Sequence, residues 1–351
     1  MKERWIEPYH KMIQYSGRIN NLHPLGPILV YPSSGAKIRF TGSYLKVLLY
    51  NKNLYWDNYL GVMMDGKQDK ILLSKNETQV ITVMQNLEEK DHTVFLFKRM
   101  DSCHTLQIIG FAIEEGEKLL ICEEEPKRRI EFYGDSVTAG EVSEAIEFSG
   151  KKDPVHNGEY SNSWYSYAWI TARKLNARIH NISQGGIALL NNTGWFYESN
   201  YIGMESIYDK ISYHPELGEI TNWDFTRYTP HVVVIAIGQN DSNPYDFMKE
   251  NYNCEMAKYW RKRYKEFVQT IRRIYPLCFI ILSTTILEHH MNWDDSIEAV
   301  CEELKDEKIV HFVYSNNGRG TKGHIRIDEA EKMAKELSNY INGFGDTLWE
   351  M

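Results

Sequence analysis

The chain has 351 residues, which is longer than a typical single domain and predicts two domains. Hydrophobic residues make up 42% of the sequence, enough to fill complete cores, so intrinsic disorder is excluded as the main state. The formal net charge of −8 argues against a protein that binds the phosphate backbone of nucleic acids.

The five cysteines are odd in number and widely spaced, and no two of them form a Cys-x-x-Cys pair. This pattern is typical of a reducing compartment rather than of a disulfide scaffold or a zinc site. No stretch approaches the roughly 20 apolar residues that cross a bilayer. The first eight residues lack the apolar core of a signal peptide, so we expect a cytoplasmic protein with no membrane partner.

Residues 1–125 are predicted to form an all-β domain. Short apolar stretches alternate with turn residues at regular intervals, and Asp65-Gly66 is typical of a hairpin turn. This spacing predicts a β-sandwich or jelly roll. The predicted strands are Pro27–Tyr31, Lys37–Phe40, Tyr44–Tyr50, Tyr59–Met64, Lys70–Leu73, Thr78–Met84, His92–Lys98 and Leu106–Ala112.

The charged segment Glu123–Arg129 is predicted to mark a domain boundary, so that the second domain covers residues 126–351. Beyond it, continuous apolar strands alternate with helical patterns, which predicts a parallel sheet covered by helices on both faces. The predicted strands are Arg129–Tyr133, Ala177–Ile182, His231–Ile237, Cys278–Ser283 and Ile309–Tyr314. The predicted helices are Ser163–Leu175, Met256–Ile274, Asp295–Leu304 and Asp328–Tyr340.

Polar motifs follow four of these five strands. They are Gly134-Asp135-Ser136 after the first strand, Ser183–Gly186 after the second, Gly238–Asp241 after the third, and the glycine-rich loop 316–323 with His324 after the fifth. Because parallel strands carry their carboxyl ends to one edge of the sheet, we expect these motifs to converge there.

Each motif offers a distinct chemical group. Ser136, on a turn at the end of a buried strand, is the predicted nucleophile, and His324 is the predicted general base and acid. The N–H groups of Ser136 and Gly186 and the amide side chain of Asn240 are predicted to form an oxyanion hole, in which each donor stabilises the transition state by about 3–4 kcal/mol. Gly185 is the alternative to Gly186, and a plain turn or helix cap is the alternative function of these residue types.

These four blocks, in this order, resemble the GDSL/SGNH hydrolase superfamily over most of residues 128–342. The preceding β-domain is similar to the jelly roll of the family 2 carbohydrate esterases. The resemblance implies a jelly roll followed by a flavodoxin-like α/β/α domain with a five-stranded parallel sheet. It also implies removal of O-acetyl groups from xylan-type oligosaccharides or polysaccharides through an acetyl-enzyme, with no metal or organic cofactor.

One position departs from the family pattern. Many SGNH enzymes carry an aspartate three residues before the histidine, and some family 2 esterases carry one two residues before it, but Thr321 and Lys322 stand there in this chain. We therefore interpret the site as a Ser136–His324 dyad. An acid from elsewhere, such as Asp294 or Asp295, is the alternative.

Two tryptophans in predicted loops, Trp223 and Trp293, are candidates for stacking on a sugar, with packing as an equal alternative. The pair His289-His290 is not predicted to bind a metal, because adjacent histidines rarely share one ion. The predicted partner is an acetylated carbohydrate, an imported oligosaccharide if the protein is cytoplasmic. An SGNH lipase or thioesterase, and a carbohydrate-binding protein with vestigial catalysis, are the alternative functions. The sequence leaves open whether the chain forms a homo-oligomer.

Overall fold

The computed structural model describes residues 2–88 and 90–350, which form two compact units. The first unit contains the residues up to Glu125 together with segments 156–159 and 211–222, and the second contains 126–155, 160–210 and the residues from Trp223 onward. The sequence prediction assigned the two short segments to the second domain. They belong to the first unit because the His156 ring stacks on Trp56 at 3.7 Å between centroids, and Tyr213 stacks on Tyr31 at 5.0 Å.

The first unit is a sandwich of two antiparallel six-stranded sheets, as the sequence predicts. One sheet has the order β3-β4-β11-β6-β9 with β1 on β11, and the other has the order β12-β5-β10-β7-β8 with β2 on β5. The strands are β1 Glu3–Ile6, β2 Gln14–Ser16, β3 Ile19–Asn20, β4 Ile28–Leu29, β5 Gly35–Thr41, β6 Leu45–Asn53, β7 Tyr59–Met64, β8 Lys67–Leu72, β9 Glu77–Met84, β10 Asp91–Lys98, β11 His104–Glu114 and β12 Leu119–Leu120.

The alternation of side chains along these strands builds the core of the sandwich. In β6, every second residue is buried from one end of the strand to the other, which is the pattern of a sheet with one face on a core. The hairpin between β7 and β8 turns at Asp65 and Gly66, both with positive φ, as the Asp-Gly pair predicts. Leu49, Val94 and Leu106 are completely buried members of this core.

The second unit contains a five-stranded parallel sheet of order β14-β13-β17-β18-β19. Numbered within this sheet, the order is 2-1-3-4-5, that of the flavodoxin-like folds. A short pair, β15 with β16, lies between the second and third of these strands in the sequence, and all of it except Lys210 belongs to the first unit. The strands are β13 Arg128–Gly134, β14 Ala177–Ser183, β15 Lys210–Ser212, β16 Thr221–Asn222, β17 Val232–Ala236, β18 Phe279–Ser283 and β19 Ile309–His311.

The helices of the second unit bury apolar side chains at helical spacing. The predicted helix over Ser163–Leu175 is shorter than expected, because Ser166 is extended and caps α2 through a bond from the Trp169 N–H at 3.1 Å. Among residues 2–88 and 90–350, no helix is both long and apolar enough to cross a membrane. The helices are α1 Ser136–Ala139, α2 Tyr167–Lys174, α3 Met204–Ile207, α4 Phe247–Glu250, α5 Glu255–Ile274, α6 Asn292–Leu304 and α7 Ile327–Asn342.

Candidate active site

Ser136 begins a one-turn helix directly after the first strand of the parallel sheet. Asp135 between them is extended, and its carboxylate caps α1 by accepting the Val137 N–H at 3.0 Å. Gly134 leaves room for this tight turn, because a Cβ there would stand 2.1 Å from Thr138 Oγ1. The strand, the capping carboxylate and the missing side chain therefore fix Ser136 at the carboxyl end of β13.

The hydroxyl and the backbone N–H of Ser136 have no hydrogen-bond partner in the described structure. Its carbonyl accepts bonds from the N–H groups of Gly140 and Glu141, each at 3.0 Å. Its Oγ and its own N–H make no hydrogen bond within the described chain, although the residue is only 6% exposed. The hydroxyl can thus lose its proton to a base, and the N–H can donate to an oxyanion that forms on the attacked carbonyl.

The predicted oxyanion donors come from three strand ends that lie side by side. Asn240 follows β17, and its Nδ2 donates to Ile187 O at 3.0 Å and lies 3.4 Å from Asp135 Oδ2. Gly186, which precedes Ile187, has a φ of +70°, and its N–H donates to no acceptor in the part of the chain that is described. Asn240 is therefore held between the sequence neighbours of Ser136 and Gly186.

His324 is held by an acid that the sequence interpretation missed. Its Nδ1 lies 2.7 Å from Asp153 Oδ2, and its backbone N–H donates to the same carboxylate at 3.1 Å. The prediction of a dyad without an acid is wrong in this respect. The alternatives Asp294 and Asp295 are not the partner either, because Asp294 pairs with His289 Nε2 at 2.8 Å and Asp295 is exposed.

Asp153 is itself fixed from two sides. The buried guanidinium of Arg326 lies 2.9 Å from Asp153 Oδ1 and also donates from Nε to Ala145 O at 2.9 Å. Gly323, with a φ of +94°, brings the backbone so close that a Cβ would stand 2.6 Å from Asp153 Oδ1. Burial opposes ionisation, but the bonds and charges of His324 and Arg326 outweigh it and hold the pKa of Asp153 below its ordinary value.

Two further acids lie near the imidazole. Asp135 is completely buried, which raises its pKa to about 6, while the Val137 N–H and the charge of His324 act in the opposite direction. Glu141 Oε2 lies 3.7 Å from His324 Nε2, on the side of the ring opposite to Asp153. The sequence analysis did not single out Glu141.

The signals for Asp153 in the sequence are weak. The residue lies in an irregular segment that follows no strand, and Asp153-Pro154 indicates only a turn. Neither periodicity nor motif spacing connects it to a histidine 171 residues later.

The two tryptophans do not offer a sugar-binding face. Trp293 is completely buried, donates from Nε1 to Asp246 Oδ1 at 3.2 Å, and packs edge-on against Trp260. Trp223 is 6% exposed, and the Arg227 guanidinium lies 4.5 Å from its ring centroid. Of the two alternatives that the sequence left open, the structure favours packing, because neighbouring side chains cover both rings.

No group of three or more His, Cys, Asp or Glu side chains that could hold a metal ion occurs in residues 2–88 and 90–350. The His289 side chain instead belongs to a hydrogen-bonded network. Its Nδ1 lies 2.6 Å from Leu287 O, and its partner Asp294 also accepts from the Asn317 amide at 2.8 Å and from Thr284 Oγ1 at 2.7 Å.

The chain is similar to known carbohydrate esterases along nearly its whole length. Residues 15–122 match the family model of the carbohydrate esterase 2 N-terminal domain. A cellulase/esterase, CelE, from Acetivibrio thermocellus is 28% identical over 342 residues, which cover 94% of this chain and 39% of that protein. An acetylxylan esterase / glucomannan deacetylase from Cellvibrio japonicus is 22% identical over 95% of this chain and 89% of that protein.

Solved structures show the same likeness. A family two carbohydrate esterase from Clostridium thermocellum, in complex with cellohexaose, superposes with a TM-score of 0.79 at 25% identity, over 96% of this chain and 99% of that chain. The chain spans well under half the length of the Acetivibrio relative. The matching N-terminal family model, the two curated relatives and the shared two-part fold thus make the chain similar to the family 2 carbohydrate esterases, which is the resemblance that the sequence motifs predict.

Proposed function

We propose that this protein is a serine esterase that removes O-acetyl groups from xylan-type oligosaccharides or polysaccharides. The observation that carries the proposal is the pairing of His324 Nδ1 with Asp153 at 2.7 Å, at the sheet edge that also holds Ser136 on its turn. The acid supports catalysis because it fixes the histidine tautomer that a nucleophilic serine needs. It also removes the reason for considering a vestigial, purely binding protein.

The chemistry proceeds in two halves. With Nδ1–H donated to Asp153, His324 presents an unprotonated Nε2, which takes the Ser136 proton as Oγ attacks the acetyl carbonyl carbon. The tetrahedral intermediate collapses when His324 returns that proton to the departing sugar oxygen. Water then attacks the acetyl-enzyme with His324 again as base, so that acetate leaves and Ser136 regains its proton.

The developing oxyanion needs donors at the same edge. The N–H groups of Ser136 and Gly186 make no hydrogen bond in the described structure, so both can donate to the oxyanion without breaking an existing bond. The Asn240 amide, which now donates to Ile187 O, is the third donor in our proposal. Each such donor stabilises the transition state by about 3–4 kcal/mol.

The substrate class follows from the relatives. One of them is named an acetylxylan esterase and glucomannan deacetylase, and another has been solved with cellohexaose. We therefore propose an acetylated β-linked polysaccharide or its oligosaccharides as substrate. We also propose a cytoplasmic location, with imported oligosaccharides as the natural substrates. Its support is that none of the five cysteines, all of which lie in the described part of the chain, forms a disulfide, which suits a reducing compartment.

Ester hydrolysis by matched variants tests the proposal. Wild-type protein is expected to hydrolyse p-nitrophenyl acetate much faster than Ser136→Ala, while Ser74→Ala, which removes an exposed hydroxyl from the first unit, retains the wild-type rate. Equal rates for wild type and Ser136→Ala would refute the nucleophile. Faster hydrolysis of octanoyl than of acetyl esters would favour a lipase instead.

A further inference from the structure

The second carboxylate beside His324 has no role in the mechanism above. We propose that Glu141 is a positioning residue that holds the Nε2 side of His324 in the resting enzyme and competes with Ser136 for it. This inference rests on the proposed function, because it concerns how the base of that reaction is kept inactive and released.

The position of Glu141 is fixed relative to the nucleophile. Its backbone N–H donates to Ser136 O at 3.0 Å, directly after the one-turn helix that Ser136 begins. Its side chain is buried, with only 4% exposure, and Oε2 reaches to 3.7 Å from His324 Nε2. The Glu141 carboxylate therefore lies near Nε2 of His324, the nitrogen that must receive the proton of Ser136.

The state of Ser136 agrees with this arrangement. In the described structure Ser136 Oγ makes no hydrogen bond, either to His324 or to any other residue. The nearby acceptor for an Nε2–H is instead Glu141. When His324 is protonated, this geometry bonds the ring to Asp153 through Nδ1 and attracts it to Glu141 through Nε2.

The charged groups around the imidazole determine the direction of the effect. Asp153 contacts Nδ1, but Arg326 lies 2.9 Å from that carboxylate and also donates to the His324 carbonyl, so its negative charge is partly balanced. Asp135 acts on His324 through its charge from the end of β13. Glu141 is the acid at Nε2, and a carboxylate at this distance favours the protonated ring.

Protonated His324 cannot act as a base, so Glu141 suppresses activity at low pH. When the ring loses its proton, the attraction to Glu141 is lost and Nε2 becomes an acceptor for the Ser136 hydroxyl. Glu141 thereby sets the pH at which the esterase becomes active, and it does so without touching substrate.

The pH dependence of kcat/KM for an acetyl ester tests this role. Glu141→Gln keeps the size of the side chain and removes its charge, so the acid limb is expected to move down by about one pH unit. At pH values below the wild-type limb this corresponds to a roughly tenfold higher kcat/KM than wild type. The exposed Glu147→Gln, six residues further along, is the matched control and is expected to keep the wild-type profile.

A readout without substrate separates this inference from the proposed function. The NMR titration of the His324 ring is expected to shift to lower pH in Glu141→Gln and in Glu141→Ala, whether or not the protein hydrolyses an ester. If wild type is active but both variants keep its acid limb and its His324 titration, the role of Glu141 is refuted. If no ester is hydrolysed but the titration shifts, the pairing stands and the esterase proposal fails.

Discussion

The Asp153 carboxylate lies 2.7 Å from Nδ1 of His324, although 171 residues separate the two in the sequence. Arg326 holds the other oxygen of this carboxylate, and Gly323 leaves the space in which it lies. Arg326 and Gly323 thus place Asp153, and Asp153 orients His324. A change at Asp153 or at Gly323 is therefore expected to act on the histidine.

Asp153→Asn is expected to lower kcat by about 10²- to 10⁴-fold with little change in KM. The amide donates to Nδ1 instead of accepting from it, so Nε2 carries the proton and cannot take one from Ser136. Steady-state kinetics on an acetyl ester measure the effect. Asp295→Asn, which neutralises an exposed acid that pairs with no catalytic residue, serves as control and is expected to be fully active. Full activity of Asp153→Asn would restore the dyad interpretation.

Gly323→Ala is expected to approach the activity of Asp153→Asn. A methyl group at this position would stand 2.6 Å from Asp153 Oδ1 and would displace the acid from His324. The backbone strain of an alanine at a φ of +94° also lowers the stability of this variant. Gly116→Ala separates the two effects, because Gly116 has a φ of +96° and open space around its Cβ position. It is expected to lose stability in urea unfolding and to keep its kcat, whereas similar kcat values for both variants would contradict the steric argument.

Asn240→Ala is expected to lower kcat by about 10²- to 10³-fold while KM changes little, because an oxyanion donor acts in the transition state and not on bound substrate. Ser242→Ala in the same turn, whose hydroxyl only donates to Gln239 O at 2.7 Å, is the matched control for a local change of structure. A rise in KM with unchanged kcat in Asn240→Ala would assign the residue to substrate binding instead.

The buried pair His289–Asp294 predicts a pH window of stability. Burial lowers the pKa of His289, but the bond and charge of Asp294 outweigh it and raise that pKa above 6.5. Burial likewise raises the pKa of Asp294, but His289 and Thr284 outweigh it and lower that pKa below 3.8. The contribution of Asp294 is lost as the pH falls below 3.8, and that of His289 is lost as the pH rises through its raised pKa, so the pair stabilises most between these limits.

Asp294→Asn is therefore expected to lower the free energy of unfolding by about 3–5 kcal/mol between pH 4 and 6.5, since it leaves a buried histidine without its partner. The difference from wild type is expected to shrink as the pH rises above this window. Urea unfolding at a series of pH values measures it, with the exposed Asp295→Asn as control. A difference that stays constant from pH 5 to pH 9 would show that His289 and Asp294 do not form an ionised pair.

The sequence predicts the framework of both units well, for a physical reason. Strands such as β6 and β17 can be recognised in the sequence because most of their buried residues are apolar, in alternation in β6 and continuously in β17. The order of strands and helices along the chain then predicts which strands are neighbours in the sheet. The motif blocks at Ser136, Gly186 and Asn240 were recognisable because each follows such a strand. Contacts that depend on irregular segments carry no comparable signal.

Asp153 and Glu141 illustrate this limit. Neither lies in a periodic element, and their relation to His324 exists only once the loops 141–155 and 316–324 are folded. Trp223 and Trp293 illustrate the converse limit, in which the sequence offers candidates for ligand binding that the structure shows to be packed. A tryptophan near a strand end has the same sequence context whether its ring is open to a ligand or packed against neighbours, and here Trp260 and Arg227 cover the two rings.

The most direct test of the central claim is acetate release from an acetylated xylo-oligosaccharide, followed by NMR for wild type and Ser136→Ala at equal concentration. We predict loss of the acetyl signals of the sugar with wild type and none above the uncatalysed rate with the variant. Deacetylation by Ser136→Ala at the wild-type rate, or none by either protein, would contradict the account.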